Sequence, residues 1–456
     1  MKVPRLQNYV SAVFNLMNAI LGAGIVGLPF ALTNLGYIIF ILLLLTVACL
    51  ALFSINLLLK ACDLHKTTSY EKLASLAFGR PGLWYTCTII TLHTMLSMIS
   101  FMFIVYYEGP TFIRGIMGTE STCESLDEEG NAVWYLRGDI LAVMVVWIVV
   151  MPLAVAKNID FLGKTSAIGM IAMILFSIMI IVYKFIIECP VSAWEGAARF
   201  FENYNRTLKD CPEHLEEVFK DYEVEFYEHS SEQVCEAKAV IGNPNSVYAL
   251  PTMLFAFQCH ASCLPIYAEL QDGTRSQMMK VSIIAVSGVF TIYTTVSYFA
   301  YFTWYNLTLE EVLMMYSSLD ASDPKILIAR GSLLLCVILS TPLLHFPCRK
   351  AQTKLFWPDN VEFSWIRHLG LMLVNLGLVC VVVCFAPGIQ TIFGYGGAIT
   401  ANSLEIILPC LFYYKLGQDS KKSVLKIACL LIGITGIGLM IFITIMLALA
   451  DAGIEI

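Results

Sequence analysis

Long apolar runs separated by short polar connections set the pattern of this chain. Eleven runs of about 18 to 25 mostly apolar residues fall near 11–33, 36–60, 83–107, 139–156, 164–187, 246–270, 280–304, 326–347, 369–386, 390–414 and 425–450. Coiled as helices rising about 1.5 Å per residue, such runs cross a hydrocarbon layer of roughly 30 Å. The predicted class is therefore an all-α membrane protein with about 11 transmembrane helices. The runs that begin near 369 and 390 are the least regular of the set.

Some of these runs are not built merely to span. The first contains NLMNAILGAGIVGLP, with Gly22, Gly24, Gly27 and Pro29 inside an otherwise apolar segment. Glycine costs roughly 1 kcal/mol in a helix interior and proline roughly 3, and within a bilayer every freed backbone group needs a new partner. The pattern predicts a broken helix lining a polar cavity. The alternative is a close helix contact through small residues, but Gly22 and Gly24 are two apart and cannot share one helix face. The sixth run repeats the feature: PTMLFAFQCHASCLPIYAEL sets Gln258, His260 and Ser262 between Pro251 and Pro265. Runs one and six are five spans apart, the offset expected of two inverted five-helix halves with facing breaks, followed by one extra helix.

Two further runs carry candidate chemistry. The eighth ends in LLLCVILSTPLLHFPCRK, where Ser340 and Thr341 precede Pro342. A hydroxyl in a membrane helix commonly bonds back to its own backbone, yet adjacent hydroxyls also supply the neutral oxygens that bind alkali cations where full charges are scarce. The tenth, FGYGGAITANSLEIILP, holds Gly394, Gly396, Gly397, Asn402, Ser403 and Glu405. A carboxyl at such depth is a candidate proton site, with pairing inside the bundle as the structural alternative. His93 and His345 are read as bundle histidines satisfied by neighbours.

Composition agrees with this picture: 58% of residues are hydrophobic and 14% charged, with a mean hydropathy of +0.74. With the N-terminus inside, the inner connections hold 18 Lys and Arg against 9 Asp and Glu, and the other face 10 against 26, as the positive-inside rule requires. The domain plan is a short cytoplasmic N-terminus (1–10), a first five-helix repeat (11–187), an outer loop (188–245), a second repeat (246–414), and a connection, eleventh helix and outer tail (415–456). Lys60 to Pro81 is basic and amphipathic, with Leu73, Leu76, Ala77 and Phe78 at helical spacing, and is expected along the inner membrane surface. The acidic loop through Glu120, Glu124, Asp127, Glu128 and Glu129 has no calcium-site spacing. Cys123, Cys189, Cys211 and Cys235 are the cysteines of the outer loops, where a disulfide is permitted, and Asn205-Arg206-Thr207 is a glycosylation sequon. No cysteine set has zinc spacing, no cofactor motif is present, and basic loops of this kind carry no nucleic-acid footprint.

The stretches VFNLMNAILGAGIVGLPFAL, TTSYEKLASLAFGRPG, SVYALPTMLFAFQCHASCLPIYAEL, STPLLHFP and SWIRH resemble the sodium-coupled neutral amino acid transporters of the amino acid and auxin permease superfamily. The resemblance runs from Asn8 to about Leu449. It implies the five-plus-five inverted-repeat fold of the bacterial leucine transporter with an eleventh helix. It further implies a sodium position at Asn18 and the Leu21 carbonyl, with the Val337 carbonyl and the hydroxyls of Ser340 and Thr341. The substrate carboxylate would meet the N–H groups of Gly22, Ala23 and Gly24, and the rest of the substrate Phe255, Ala256, Phe257 and His260. A disulfide between Cys189 and Cys235 follows from the same likeness, leaving Cys123 as the nearest candidate partner for Cys211, while glycosylation at Asn205 is expected from the sequon. The chain departs from the family at Ala23, where serine is common, at His93-Thr94, where Gln-Asn is common, and at Glu405, where an apolar residue is usual.

The function implied is a symporter for glutamine- or alanine-like neutral amino acids, monomeric, embedded in a lipid bilayer, with sodium as coupling ion. Its expected membrane is the plasma membrane, with a lysosomal or other organelle membrane as the alternative. Rival readings are proton coupling through His260 or Glu405, and an amino-acid sensor, which would be expected to carry a long N-terminal tail. A membrane-embedded enzyme is disfavoured by the lack of HExxH, GxSxG or paired intramembrane aspartates. Mass mapping of the non-reduced protein checks the loop pairing. A Cys189–Cys235 peptide is expected, and Cys235 found free or joined to Cys211 rejects it.

Overall fold

The structure is a computed structural model that describes residues 8–117, 133–155, 159–187, 236–271, 273–305, 308, 311–317, 323–358, 363–385, 388–420 and 423–452. Cys123, Cys189, Asn205, Cys211, Cys235 and the acidic stretch from Glu120 to Glu129 lie outside the described residues. Every regular element among the described residues is helical.

The first span is split into α1 (Tyr9–Ile20) and α2 (Gly24–Leu35), inclined at 54°. The Asn8 side chain caps α1 by accepting from the Ser11 N–H at 2.9 Å. Gly36 turns the chain into α3 (Tyr37–Leu64) at φ +81°, and a Cβ there would stand 2.7 Å from the backbone of Ala239. That contact matters because the segment before the sixth span returns over this corner. The N–H groups of Tyr37 and Ile38 bond to the carbonyls of Lys238 and Ala239, and Ile241 N–H bonds to that of Leu35.

The expected surface stretch and third span form one helical run, α4 (Tyr70–Met117), kinked at Gly79 where φ is +65°. Leu73 and Ala77 are buried, while Leu76 and Phe78 are exposed. After it come α5 (Gly138–Ala154), widened by a π-turn at Val146–Val150, and α6 (Ile159–Ile186). The sixth span opens with a 3-10 turn, Pro244–Tyr248, and is divided into α7 (Ala249–Phe257) and α8 (His260–Glu269). The remainder is α9 (Arg275–Trp304), the short α10 (Val312–Ser317), α11 (Pro324–Phe356), α12 (Trp365–Phe385), α13 (Ile389–Leu416) and α14 (Val424–Asp451). Nine helices among the described residues are long and apolar enough to cross a membrane, ten if α1 and α2 count as one span. The expected total of eleven is reached only by adding α5, which falls short of that length.

Burial sorts these elements into inner and outer rings. The most apolar windows of the 244–269 and 389–416 spans are 83% buried, that of α14 only 22%. Ile171 of α6, Val374 and Phe385 of α12 and Leu431 of α14 are exposed, an apolar outer surface suited to lipid. The core is formed by α1, α2, α7 and α8 wrapped by α4, α9, α11 and α13.

Candidate functional site

The centre of the molecule is where two helices stop. Leu21 leaves α1 with φ −68° and ψ 109°, and Gln258 leaves α7 with φ −70° and ψ 113°. The next turns resume at Gly24 and His260. Ile25 N–H bonds to the Gly22 carbonyl and Val26 N–H to that of Ala23, while none of the N–H groups of Gly22, Ala23 and Gly24 donates to a backbone carbonyl among the described residues. Exposed N–H groups at the start of a helix favour an anion such as a carboxylate.

The two breaks lie against each other because the residues there are small. A Cβ on Gly24 would stand 2.5 Å from that of Ala256, and one on Gly22 would meet the Phe101 ring at 2.5 Å. Tyr293 of α9 ties the pair together: its hydroxyl lies 2.8 Å from the Ile20 carbonyl and 3.2 Å from that of Ala256. Both carbonyls end helices and have lost the partner that continuation would supply. Tyr293 had no signature in the sequence beyond being a polar-tipped aromatic inside an apolar run, which demands some partner without naming it.

Between the breaks is a cavity of about 30 Å³, room for about one water molecule. Of the residues expected to meet the substrate, Gly22, Ala23, Gly24, Phe255 and Ala256 line it, and Gln258 and Ser262 of the polar run join them. The expected Phe257 and His260 do not. Phe257 packs edge-on to Tyr293 at 5.4 Å, and His260 Nε2 lies 2.7 Å from Ser54 Oγ on α3. Consecutive residues of a helical turn point in different directions, so a contiguous stretch could not all face one cavity. In their place α4 contributes His93, Thr94, Ser97 and Phe101. His93 is satisfied as expected, with Nδ1 3.0 Å from Thr400 Oγ1 and Nε2 3.4 Å from Ser97 Oγ, and its ring packs on Phe255. His345 departs from expectation: it is buried and its Nε2 has no hydrogen-bond partner.

Toward the α2–α3 corner the cavity is shut. Phe255 and Phe393 pack at 5.3 Å, and Gly27 leaves room for the Phe393 ring, which a Cβ would approach to 2.8 Å. Beyond them a second cavity of only about 10 Å³ is lined by Gly27, Asn34, Tyr248, Thr252 and Phe393.

The oxygens expected to hold a cation come from α1 and α11. Asn18 and Ser340 are brought together, Ser340 Oγ donating to Asn18 Oδ1 at 3.2 Å, both 2% exposed or less. Asn18 Nδ2 donates to Ser166 Oγ of α6 at 3.4 Å, and Gly169 leaves space for this amide, since a Cβ there would stand 2.9 Å from Asn18 Oδ1. Thr341 Oγ1 bonds back to the Val337 carbonyl at 2.7 Å, the ordinary alternative for a helix hydroxyl. Together with the Leu21 carbonyl, passed over by Ile25 N–H, these are neutral oxygens on two helices. That donor chemistry fits a hard monovalent ion, whereas no group of three His, Cys, Asp or Glu that could hold a metal occurs among the described residues.

Glu405 is elsewhere, on α13 within the second of two successive π-helical stretches, Gly396–Ala401 and Ser403–Ile407. It is fully buried, and neither carboxyl oxygen has a hydrogen-bond partner. Gly397 abuts the Pro251 carbonyl on α7, and Asn402 Nδ2 donates to the Gly436 carbonyl on α14 at 2.8 Å.

Comparison with known proteins adds an independent observation. The family model described as transmembrane amino acid transporter protein matches residues 7–211 and 220–449. The chain is similar to sodium-coupled neutral amino acid transporter 4 of Homo sapiens, 35% identical over 466 residues, covering 96% of this chain and 83% of that protein. It is also similar to sodium-coupled neutral amino acid symporter 2 of Danio rerio, 36% identical over 434 residues, covering 95% and 80%.

Removing the Tyr293 hydroxyl leaves two helix-end carbonyls without their shared donor. Tyr293→Phe is expected to destabilise the protein by about 1 to 3 kcal/mol, read as a lower thermal midpoint in detergent. An unchanged midpoint would show that the hydroxyl does not hold the breaks together.

Proposed function

The chain belongs to the transmembrane amino acid transporter family, whose members are carriers rather than enzymes, and we propose that it is a secondary active symporter importing a small neutral amino acid with sodium. Glutamine- and alanine-like side chains are the proposed substrates, and the plasma membrane is the proposed location. Amino acid transport by a multi-pass membrane protein is the family's activity. The finer reading is carried by one observation: the Asn18–Ser340 contact sits at the foot of the same broken helix whose far side begins with N–H groups, at Ala23 and Gly24, that donate to no backbone carbonyl among the described residues. The names of the relatives, both sodium-coupled, support it.

The proposed mechanism uses the joints already described. The substrate carboxylate binds at Gly22, Ala23 and Gly24, with Phe255 and Ala256 on the opposite wall and His93 beside them. Asn18, Leu21, Val337, Ser340 and Thr341 take the sodium, whose charge would hold α1 against α11. Thr341 turns its hydroxyl from the Val337 carbonyl to the ion, and Ser340 turns away from Asn18. Phe255 and Phe393 form the gate toward the outer side. Joint occupancy of both sites would allow the gate to close and the opposite side to open, which is alternating access over a five-plus-five repeat. Asn18→Ala and Ser340→Ala are each expected to raise the sodium concentration for half-maximal uptake in proteoliposomes by about tenfold, roughly 1.4 kcal/mol. Sodium curves that overlay the parent's in both variants reject this site.

Glu405 motivates a second reading, proton coupling, because a fully buried carboxyl without a partner is poised to load and release a proton. Glu405→Gln separates the two. On the sodium reading, concentrative sodium-driven uptake survives the substitution. Loss of accumulation with substrate exchange preserved and abundance unchanged would transfer the coupling role to Glu405.

A further inference from the structure

The connection between α9 and α11 lies, by the Lys and Arg distribution, on the outer face. It carries α10, which packs against α2, α4 and α11. Glu311, the residue before α10, is only 2% exposed, and neither of its carboxyl oxygens has a hydrogen-bond partner. Its charged neighbours come from two spans. Arg330 Nε of α11 donates to Glu108 Oε2 of α4 at 2.7 Å, with side chains 0% and 2% exposed. The same guanidinium reaches α10 itself, Nη2 donating to the Leu313 carbonyl at 3.4 Å.

The charges at this spot do not balance. Among the described residues, Glu108, Glu311 and Arg330, all ionised, would leave one negative charge in the buried interior. An uncompensated carboxylate buried in this way takes up a proton. The short bond from Arg330 assigns the ionised form to Glu108, so the proton belongs on Glu311. Burial first, and then the charge on Glu108, hold the Glu311 carboxyl well above the usual carboxylate range, with Arg330 opposing. The other elements at this place add little: α2 has no titratable side chain, α10 adds Tyr316, and Tyr183 of α6 packs on Tyr316 and is tied to Asp323.

We propose that Glu311 is a proton-binding site coupled to the seating of α10 over α2. Seated, Glu311 is a neutral carboxylic acid. When α10 lifts, the carboxyl meets water, its O–H bond gives the proton to the outer solution and the carboxylate is hydrated; on reseating, a proton is taken back, while Glu108 and Arg330 keep their charges. The site is separate from Asn18 and from Glu405, and does not depend on which ion drives uptake.

The seated form holds one more proton than the lifted form. Raising the pH from the ordinary glutamate range near 4.3 toward the raised value of the seated form therefore favours lifting, by up to tenfold per pH unit. Val312 of α10, fully buried, reports this as Val312→Cys in purified full-length protein. The measured quantity is its maleimide labelling rate divided by that of denatured protein at the same pH. The normalised rate is expected to climb up to tenfold per unit. With Glu311→Gln, which has the shape but no titrating proton, it is expected to stay low and flat. In Glu108→Gln, Glu311 becomes the arginine's counter-ion and seats ionised, so the climb is again expected to vanish. A climb that survives in either variant overturns the proposal, as does a flat profile in the parent. If Glu311→Gln does not fold, Glu108→Gln decides the matter alone.

Discussion

Backbone groups that leave a helix inside an apolar bundle must find other partners, and most of this structure follows from how that is done at two places. The carbonyls at Ile20 and Ala256 end their helices in the interior, away from bulk water. The breaks approach closely because Gly24 carries no Cβ to strike Ala256, and that closeness lets one residue on a third helix serve both. Unlike the carbonyls, the N–H groups of Ala23 and Gly24 have no backbone partner among the described residues, while that of Gly22 meets the Tyr293 hydroxyl. The asymmetry leaves donors rather than acceptors beside the cavity.

The same rule governs the side chains around the breaks. Asn18, Ser340 and Ser166 satisfy one another across three helices without any formal charge, so the joint between α1 and α11 can exchange internal bonds for bonds to an ion at little cost in desolvation. One turn before Asn18, Asn15 is 1% exposed with neither amide atom partnered, which extends the polar track along α1. The ionisable groups are treated differently. Arg330 and Glu108 meet as a short ion pair, and Glu405 stands alone in a π-helical stretch. A π-turn inserts a residue and rotates the side chains that follow it, a distortion common at functional positions.

Much of this was legible in the chain and some was not, for a physical reason. Glycine, proline and polar residues inside an apolar run betray a break because the penalty is local, so the first split helix could be read from Gly22 and Gly24 and the second from Gln258, His260 and Ser262, set between Pro251 and Pro265. The Asn18 and Ser340 pairing needed the likeness to a known family, since the two residues are 322 positions apart. The cavity lining could be read only in part. Resemblance supplied Phe255, Ala256, Phe257 and His260, but the turn of α7 and the break after it send Phe257 to Tyr293 and His260 to Ser54. Tyr293, Ser97 and Glu311 had no signal of their own, because what they do depends on partners from other spans. The span count differed at α5, whose π-turn and shorter length blur an apolar run that hydropathy alone counts as a crossing.

A phenol has a single hydrogen, and Tyr293 offers it to two acceptors at unequal distances. One helix end is therefore always held more firmly than the other, and full strength at both is chemically impossible. Movement of either half away from α9 leaves the whole hydrogen to its rival. The centre of the bundle is thus an arbiter with one vote: it opposes the simultaneous departure of both halves while permitting either to go.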